Sequence, residues 1–98
     1  MGEISPAEGE ADIIIMISVY VLKSLLSRKS YVGATNNLRR RLSEHNAGKM
    51  AYSKKYRPWV VIYSENYATL AEARKREKYF KSGAGRRFLK KIFEKDNK

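Results

Sequence analysis

The chain has 98 residues, of which 43% are hydrophobic, which predicts one folded domain with a single modest core. It contains no cysteine, which excludes disulfides and thiolate metal sites. Four of its ten acidic residues lie within the first twelve positions, which leaves 21 lysines and arginines against six acids from Ile13 onward. A domain this basic indicates an anionic polymer as partner, with nucleic acid ahead of a membrane surface, although a basic ribosomal-type protein would carry the same charge.

The N-terminal segment over 1–15 is acidic, contains Pro6 and shows no periodicity in its first twelve residues, so we predict a mobile tail there. It carries no lysine or arginine, unlike the start of a signal peptide, and the apolar run over 14–22 is too short to cross a bilayer. We therefore expect a cytoplasmic, nucleoid-associated protein without a membrane partner. Its domain is predicted over 16–95, with a short C-terminal tail over 96–98.

The run over 14–22 alternates its side chains between two faces, which predicts the first strand of a β-hairpin. The patterns that follow predict an α+β fold in the order ββαβαα. A second strand is predicted over 30–33, followed by a helix from Asn36 or Asn37 to about Ala47 that Gly48 ends. A basic loop over 49–58 then leads to a third strand over 59–65. The second helix is opened by the capping box of Thr69 and Glu72 and stops at Gly83, and a third helix is predicted over 86–95.

The residue types that the sequence lacks exclude several kinds of catalytic site. No aspartate lies between Ile13 and Lys95, and His45 is the only histidine. Two-metal sites need several converging carboxylates, zinc sites need clusters of histidine or cysteine, and a Ser-His-Asp triad needs its acid, so the patterned region can build none of them. A catalytic site would have to use one histidine with glutamates, arginines and tyrosines.

The first predicted helix brings one of three consecutive arginines to the side of the histidine. Its two leucines define the buried direction, His45 falls at the edge of that stripe, and Arg41 lies beside it, one turn earlier. Arg39 and Arg40 project towards solvent. The pattern favours a functional pair of Arg41 and His45, but an exposed basic helix with a partly buried histidine would also show it.

The second predicted helix places Glu77 in the middle of an apolar arc. A buried carboxylate is costly unless a cation or hydrogen-bond donors compensate it. Three compensators are open: a metal ion, Arg41, or Lys81 one turn further on, the last being a common pair on helix surfaces. The arc is formed by Leu70, Ala73 and Phe80.

Four strings, in this order and at these spacings, resemble the GIY-YIG nuclease family over 17–94. They are SVYVLKS, SYVGATNNLRRRLSEHNAGK, RPWVVIYSE and EARKREKYFKSGAGRRFLKKI. The chain looks close to the small bacterial members related to the nuclease subunit of nucleotide-excision repair. The resemblance implies a small three-stranded antiparallel sheet flanked by helices, and hydrolysis of a phosphodiester bond with one divalent cation.

The resemblance also implies roles for five residues. Glu77 matches the glutamate that holds the metal, Mg²⁺ or Mn²⁺, and Arg41 matches the helix arginine that would brace the scissile phosphate. Tyr20 ends the first motif and Tyr31 opens the second. One of these tyrosines, aided by His45, would take the proton from the attacking water.

Two features depart from the family pattern. The first motif reads Ser18-Val19-Tyr20 without its glycine, and Asn66 and Asn97 are the only candidates for a late active-site asparagine. The alternative function is a non-catalytic nucleic-acid-binding module, or an adaptor in a repair complex. A homodimer or a protein partner stays open.

We expect the nucleic acid, DNA ahead of RNA, to pass along the first helix and the loop that follows it, because phosphates need cations and splayed bases stack on tyrosine. The predicted contacts are Arg39, Arg40, Tyr52, Lys54, Lys55, Tyr56 and Arg57. The alternative platform is the last helix, with Arg86, Arg87, Lys90 and Lys91. Charge reversal in the loop is expected to weaken binding more than charge reversal on the last helix.

Overall fold

The computed structural model describes residues 16–96, so the predicted tail over 1–15 and positions 97–98 lie outside the described residues. The strands and helices are β1 (Ile17–Ser24), β2 (Ser30–Thr35), α1 (Leu38–Asn46), α2 (Ala51–Lys54), β3 (Trp59–Tyr67), α3 (Leu70–Phe80) and α4 (Gly83–Asp96). The strands form one antiparallel sheet in the order β2-β1-β3. This three-stranded sheet flanked by helices confirms the predicted α+β fold class.

The central strand β1 is buried on both faces. One face packs against α3 and α4 in a cluster of Val19, Val21, Ala73, Phe80 and Leu89. The other face packs against α1 in a cluster of Tyr20, Leu22 and Trp59, joined by Leu38 and Leu42. Burial on both sides explains why β1 is a nearly continuous apolar run in the sequence.

The differences from the predicted elements lie in the loop after α1 and at the ends of strands and helices. Each strand ends two residues later than predicted, at Ser24, Thr35 and Tyr67, and β1 begins at Ile17. The predicted loop over 49–58 contains the short helix α2. The last helix begins earlier than predicted, at Gly83, and includes Asp96, whose carboxylate accepts a hydrogen bond from Lys23 Nζ at 2.8 Å. Leu70 was expected in the apolar arc but is 53% exposed, because it is the first residue of α3 and lies before the buried part of that helix. No helix between residues 16 and 96 is long and apolar enough to cross a membrane.

Local signals define the ends of α1 and the start of α3. Asn37 Oδ1 accepts a hydrogen bond from the backbone N–H of Arg40 at 3.0 Å, and Thr69 Oγ1 accepts one from that of Glu72 at 3.2 Å. The predicted caps are therefore confirmed, with Asn37 chosen over its neighbour. Gly48 follows α1 with a φ of 81°, a left-handed conformation that favours glycine.

A glutamate on β3 joins the sheet to α3. The Glu65 carboxylate accepts hydrogen bonds from the hydroxyls of Tyr63 and Tyr67. It accepts two more from Arg76, at 2.9 and 3.1 Å, and the Arg76 guanidinium lies 4.6 Å from the ring centroid of Phe80. Burial alone would raise the pKa of Glu65, but the hydrogen bonds from Arg76 and the two tyrosines outweigh it and lower that pKa. The ionised carboxylate thus holds α3 against the sheet.

We predict that Gly85→Ala lowers the free energy of unfolding by roughly 1–3 kcal/mol, whereas Gly83→Ala is close to neutral. A Cβ at Gly85 would lie 2.0 Å from the carbonyl oxygen of Tyr79 and 2.5 Å from Cα of Phe80, and these backbone atoms cannot move aside. A Cβ at Gly83 would meet the end of the flexible Arg87 side chain at 3.9 Å. Urea unfolding followed by circular dichroism measures both variants, and equal midpoints would contradict the packing described.

Candidate active site

His45 lies in the middle of a buried chain of hydrogen bonds. Its Nε2 is 3.2 Å from Tyr20 Oη, and its Nδ1 is 2.7 Å from Ser53 Oγ. The three side chains come from β1, α1 and α2, and each is no more than 2% exposed. Trp59 Nε1 donates to the backbone carbonyl of Ser53 at 2.8 Å, which holds α2 in place. Both ring nitrogens of the histidine have a partner, so the ring orientation is set from two sides.

Tyr31 begins a row of rings that leads from the buried histidine to the surface. Its ring centroid lies 4.7 Å from that of His45, edge to face, and 6.1 Å from that of Tyr52. The ring of Tyr52 lies 5.4 Å from that of Tyr56. Tyr31 is half-buried and Tyr52 is 49% exposed, so the accessible rings of the site are those of β2 and α2.

Gly33 leaves the space through which Tyr20 reaches the histidine. The two residues are partners across β1 and β2. A Cβ at Gly33 would lie 2.6 Å from Tyr20 Oη and 3.0 Å from the ring of Tyr31. Any side chain at this position would push the Tyr20 hydroxyl away from His45 Nε2. The glycine of the second motif therefore has a packing reason of its own.

Arg41 lies on the histidine side of α1 and is 34% exposed. One terminal nitrogen is 3.6 Å from a carboxylate oxygen of Glu44 and 4.0 Å from Met50 Sδ. The Arg41 Nε is buried and has no hydrogen-bond partner among residues 16–96. A buried donor without an acceptor costs about 1–3 kcal/mol, so an acceptor for this N–H would have to come from outside residues 16–96.

Burial disfavours ionisation of both Tyr20 and His45. It raises the pKa of Tyr20 well above the ordinary value of about 10, with Tyr31 adding to the shift and the charge of Arg41 opposing it. Burial also lowers the pKa of His45, and the positive charge of Arg41 lowers it further. Near neutral pH, Tyr20 is therefore a phenol and His45 a neutral imidazole.

Glu77 forms no hydrogen bond or ion pair with the other four predicted residues within the described chain. Its carboxylate is 14% exposed and pairs with Lys81 Nζ at 3.0 Å and with Arg74 Nη1 at 3.2 Å. Of the compensators considered from sequence, Lys81 is present, Arg41 pairs elsewhere, and Arg74 is an additional one. The negative charge of Glu77 still affects the Tyr20 hydroxyl, because it contributes to the raised pKa of Tyr20.

A single carboxylate suits one hard divalent cation. Mg²⁺ in proteins is commonly held through one or two carboxylates, substrate phosphates and retained waters. No three His, Cys, Asp or Glu side chains gather within residues 16–96, so a site built from protein ligands alone is not formed there. The donor chemistry of Glu77 fits an ion that is shared with the substrate.

The residues predicted to contact nucleic acid lie on α1 and in the segment around α2. The exposed ones are Arg39, Arg40, Tyr52, Lys54, Lys55 and Arg57, and Tyr56 is half-buried. The guanidinium of Arg57 occupies the space that a side chain at Gly48 would need, which ties the loop to the end of α1. The alternative platform on α4 is equally exposed at Arg86, Arg87, Lys90 and Lys91. Exposure therefore does not choose between the two surfaces.

Ser53 belongs to the site although no sequence pattern pointed to it. It lies in the basic segment that was predicted as a loop, where a serine is an ordinary residue, and only the short helix α2 aims its hydroxyl at His45. The asparagine candidates do not extend the site. Asn66 accepts a hydrogen bond from Ser18 Oγ at 2.8 Å, and Asn97 lies outside the described residues.

The sequence of this chain matches a known family of protein domains. A sequence model of the GIY-YIG catalytic domain matches residues 16–91, a span that contains all five predicted catalytic positions. The chain therefore belongs to the GIY-YIG family, and the resemblance inferred from the four strings is confirmed.

Similar proteins come from several bacteria. UPF0213 protein SH2523 of Staphylococcus haemolyticus is 38% identical over 78 residues, which cover 79% of this chain and 94% of that protein. UPF0213 protein lin0209 of Listeria innocua is 47% identical over 64 residues, 63% of this chain and 69% of that protein. UPF0213 protein YazA of Bacillus subtilis is 46% identical over 52 residues, 52% of each. The solution NMR structure of UPF0213 protein BH0048 from Bacillus halodurans has a TM-score of 0.49 and 23% identity, covering 80% of this chain and 85% of that one.

We predict that acidification destabilises the protein through its single histidine. Because the pKa of His45 is lowered in the folded state, the unfolded chain binds a proton first, at the ordinary value of about 6.5. The free energy of unfolding should be highest above that pH and fall below it, by up to about 1.4 kcal/mol per pH unit. Urea unfolding at pH 7.5 and 5.5 measures the change.

The control for this titration is His45→Asn, which removes the ionisable ring. Its stability should be lower at both pH values but nearly the same at the two. Glu65 also has a lowered pKa, but it titrates below its ordinary 4.5 and so outside this interval. A parent protein whose stability is unchanged between pH 7.5 and 5.5 would contradict the burial of a neutral imidazole.

Proposed function

We propose that this protein is a metal-dependent endonuclease that hydrolyses phosphodiester bonds in DNA, with a role in repair or recombination. Membership of the GIY-YIG family supports nuclease chemistry. The observation that carries the proposal is the buried, unpartnered Nε of Arg41 on the same helix as the histidine of the Tyr20–His45–Ser53 chain. A cationic donor that lacks an acceptor, close to groups that can exchange a proton, suits an anionic ester as substrate.

Arg41 would bind the scissile phosphate. Its guanidinium has several donors in one plane, and the pairing with Glu44 leaves the Nε–H unused. Since Glu44 and Met50 already hold this side chain, little reorganisation is needed when negative charge accumulates on the phosphate oxygens. Lysine would supply charge without the same planar geometry.

Exposure favours Tyr31 as the tyrosine that meets the attacking water. Tyr20 is 2% exposed and its raised pKa keeps the hydroxyl protonated. Tyr31 is half-buried, packs on the neutral ring of His45 and opens towards the surface. Tyr31, aided by His45, would take the proton from the attacking water.

Glu77 would hold one Mg²⁺ or Mn²⁺ ion through its carboxylate oxygens. When bound, such an ion supplies positive charge that stabilises the scissile phosphate and the leaving oxygen. The carboxylate is 14% exposed and is neutralised in the structure by Lys81 and Arg74, two flexible partners with exposed ends. Both can turn away to interact with phosphates in a complex.

A non-catalytic nucleic-acid-binding module, or an adaptor in a repair complex, is the alternative on this fold. The observation that favours it is the complete burial of His45 with a partner at each ring nitrogen. A structural histidine in a core is satisfied in the same way. DNA would then bind to the basic surfaces around α2 and on α4 without being cut. Both functions place the protein in the cytoplasm, with the nucleoid.

We predict that Glu77→Gln reduces divalent-dependent cleavage of DNA by at least about 100-fold while binding and stability change little. The reason is that glutamine keeps the shape of the side chain and removes the charge that a metal ion needs. The measurement is single-turnover cleavage of nicked, plain duplex and single-stranded DNA, each with anisotropy for binding.

Glu72→Gln is the matched control, since it makes the same charge change on α3 and glutamine also completes a capping box with Thr69. This variant should cut at the parent rate. Equal rates for Glu77→Gln and the parent would show that Glu77 is no metal ligand and that its pairs with Lys81 and Arg74 are its whole role.

We predict that Arg41→Ala lowers the cleavage rate by roughly 100-fold, far more than Arg39→Ala or Arg40→Ala. Only Arg41 is partly buried beside the histidine, whereas the other two are exposed on the outer side of α1. The outer variants should instead weaken binding and lower the slope of log affinity against log salt by roughly 0.9 for each lost phosphate contact. If all three variants lost activity equally, α1 would be a basic surface without a catalytic side.

A further inference from the structure

A groove with a volume of about 760 Å³ runs along β2, an edge strand of the sheet described by residues 16–96. The end of α3 and one side of α4 form its other wall. Tyr31 and Tyr52 lie at its α2 end, so the groove continues the row of rings that starts at His45. Lys81, the partner of Glu77, also lines it.

The charge of the groove is strongly positive. Glu94 is the one acid among the described residues that line it. The cations at its rim are all exposed and come from three separate parts of the chain: Arg28, Lys29, Lys81, Arg86 and Lys90. Because the hairpin, α3 and α4 all contribute, the charge follows the length of the groove rather than one helix face. An extended polyanion is the ligand that such a distribution complements.

The size and floor of the groove suit unpaired nucleotides. Its volume is in the range of small-molecule sites, about 300–1,000 Å³, and is therefore too small to enclose a double helix. The floor is apolar, formed by Val32, Leu89 and Phe93, with the two tyrosine rings at one end. Unpaired bases present apolar faces that stack on such rings while their phosphates meet the cations, whereas paired bases hide those faces.

We propose that this groove binds the unpaired strand of a nucleic-acid substrate and gives the protein a preference for duplex DNA with a single-stranded overhang. The cleavage position relative to the overhang rests on the proposed nuclease function, but the strand binding does not. An acidic peptide added to the edge of β2 would also meet the cations. The continuity with the tyrosine row, which starts at His45, one turn after the phosphate-binding candidate Arg41 on α1, favours the nucleic acid.

The test measures binding without divalent metal, by fluorescence anisotropy of three probes: oligothymidylate, a blunt duplex, and the same duplex with an oligothymidylate overhang. Charge reversal at two groove cations, Arg86→Glu with Lys90→Glu, should weaken binding of both probes that have an unpaired strand by about 10-fold or more. The blunt duplex should lose about 2-fold or less.

The matched control is Lys75→Glu with Lys78→Glu, which makes the same charge change at exposed positions of α3 outside the groove. This control should weaken the binding of all three probes by the same small factor. Charge reversal of the loop cations Lys54, Lys55 and Arg57 should weaken binding of the blunt duplex most. The loop is therefore expected to contribute more than α4 to binding a duplex, and α4 more than the loop to binding an unpaired strand. Circular dichroism establishes that each variant is folded.

Equal losses of the groove variant on all three probes, or losses that the control reproduces, would overturn the proposal. So would unchanged DNA binding with an altered sedimentation coefficient, which would make the groove an interface between copies of the chain. A parent that cuts none of the probes with metal, yet binds the overhang through Arg86 and Lys90, would refute the nuclease function and support the groove. If the parent cuts DNA but the groove variant binds every probe as tightly as the parent does, the nuclease function is supported and the groove is refuted.

Discussion

Burial of β1 on both faces is the constraint on which the other features depend, because it requires a layer of helices on each side of a sheet of only three strands. Val19, Tyr20, Val21 and Leu22 are each no more than 2% exposed. The two valines require α3 and α4 on one side, and Tyr20 and Leu22 require α1 on the other. A tyrosine forced into this second layer needs a hydrogen-bond partner there for its hydroxyl.

That partner is His45, so the contact that closes the second core also creates a polar chain inside it. An unpaired polar group at such a depth would cost about 1–3 kcal/mol, and Tyr20, His45 and Ser53 avoid this cost by pairing with one another. Arg41 Nε, by contrast, has no hydrogen-bond partner within the described residues, although the charge of Arg41 affects the pKa values of both Tyr20 and His45. Exceptions of this kind concentrate at functional sites, which is why the arginine rather than the histidine carries the functional argument.

Positive charge covers so much of the surface that charge alone does not choose where a nucleic acid lies. The outer side of α1, the segment around α2 and the side of α4 are all basic and exposed. Shape separates them: the groove along β2 adds a concave, apolar floor to its cations, whereas the α1 surface adds proximity to Arg41 and His45. Tyr31 belongs to both regions, since it lines the groove and packs on the histidine. One substrate with a paired and an unpaired part would use both surfaces.

The fold class, the family and the side of α1 that carries Arg41 and His45 were all predictable from the amino-acid sequence. These features depend on hydrophobic periodicity, caps and short motifs, which act within one element and can be followed along the chain. The partner of His45 at Ser53, the pairing of Glu77 with Arg74, and the groove along β2 were decided by the tertiary structure alone. Ser53 and the groove depend on side chains from different helices and strands that meet only after packing. The pairing of Glu77 depends on which of several nearby cations this largely buried carboxylate contacts, and no spacing in the sequence encodes that choice.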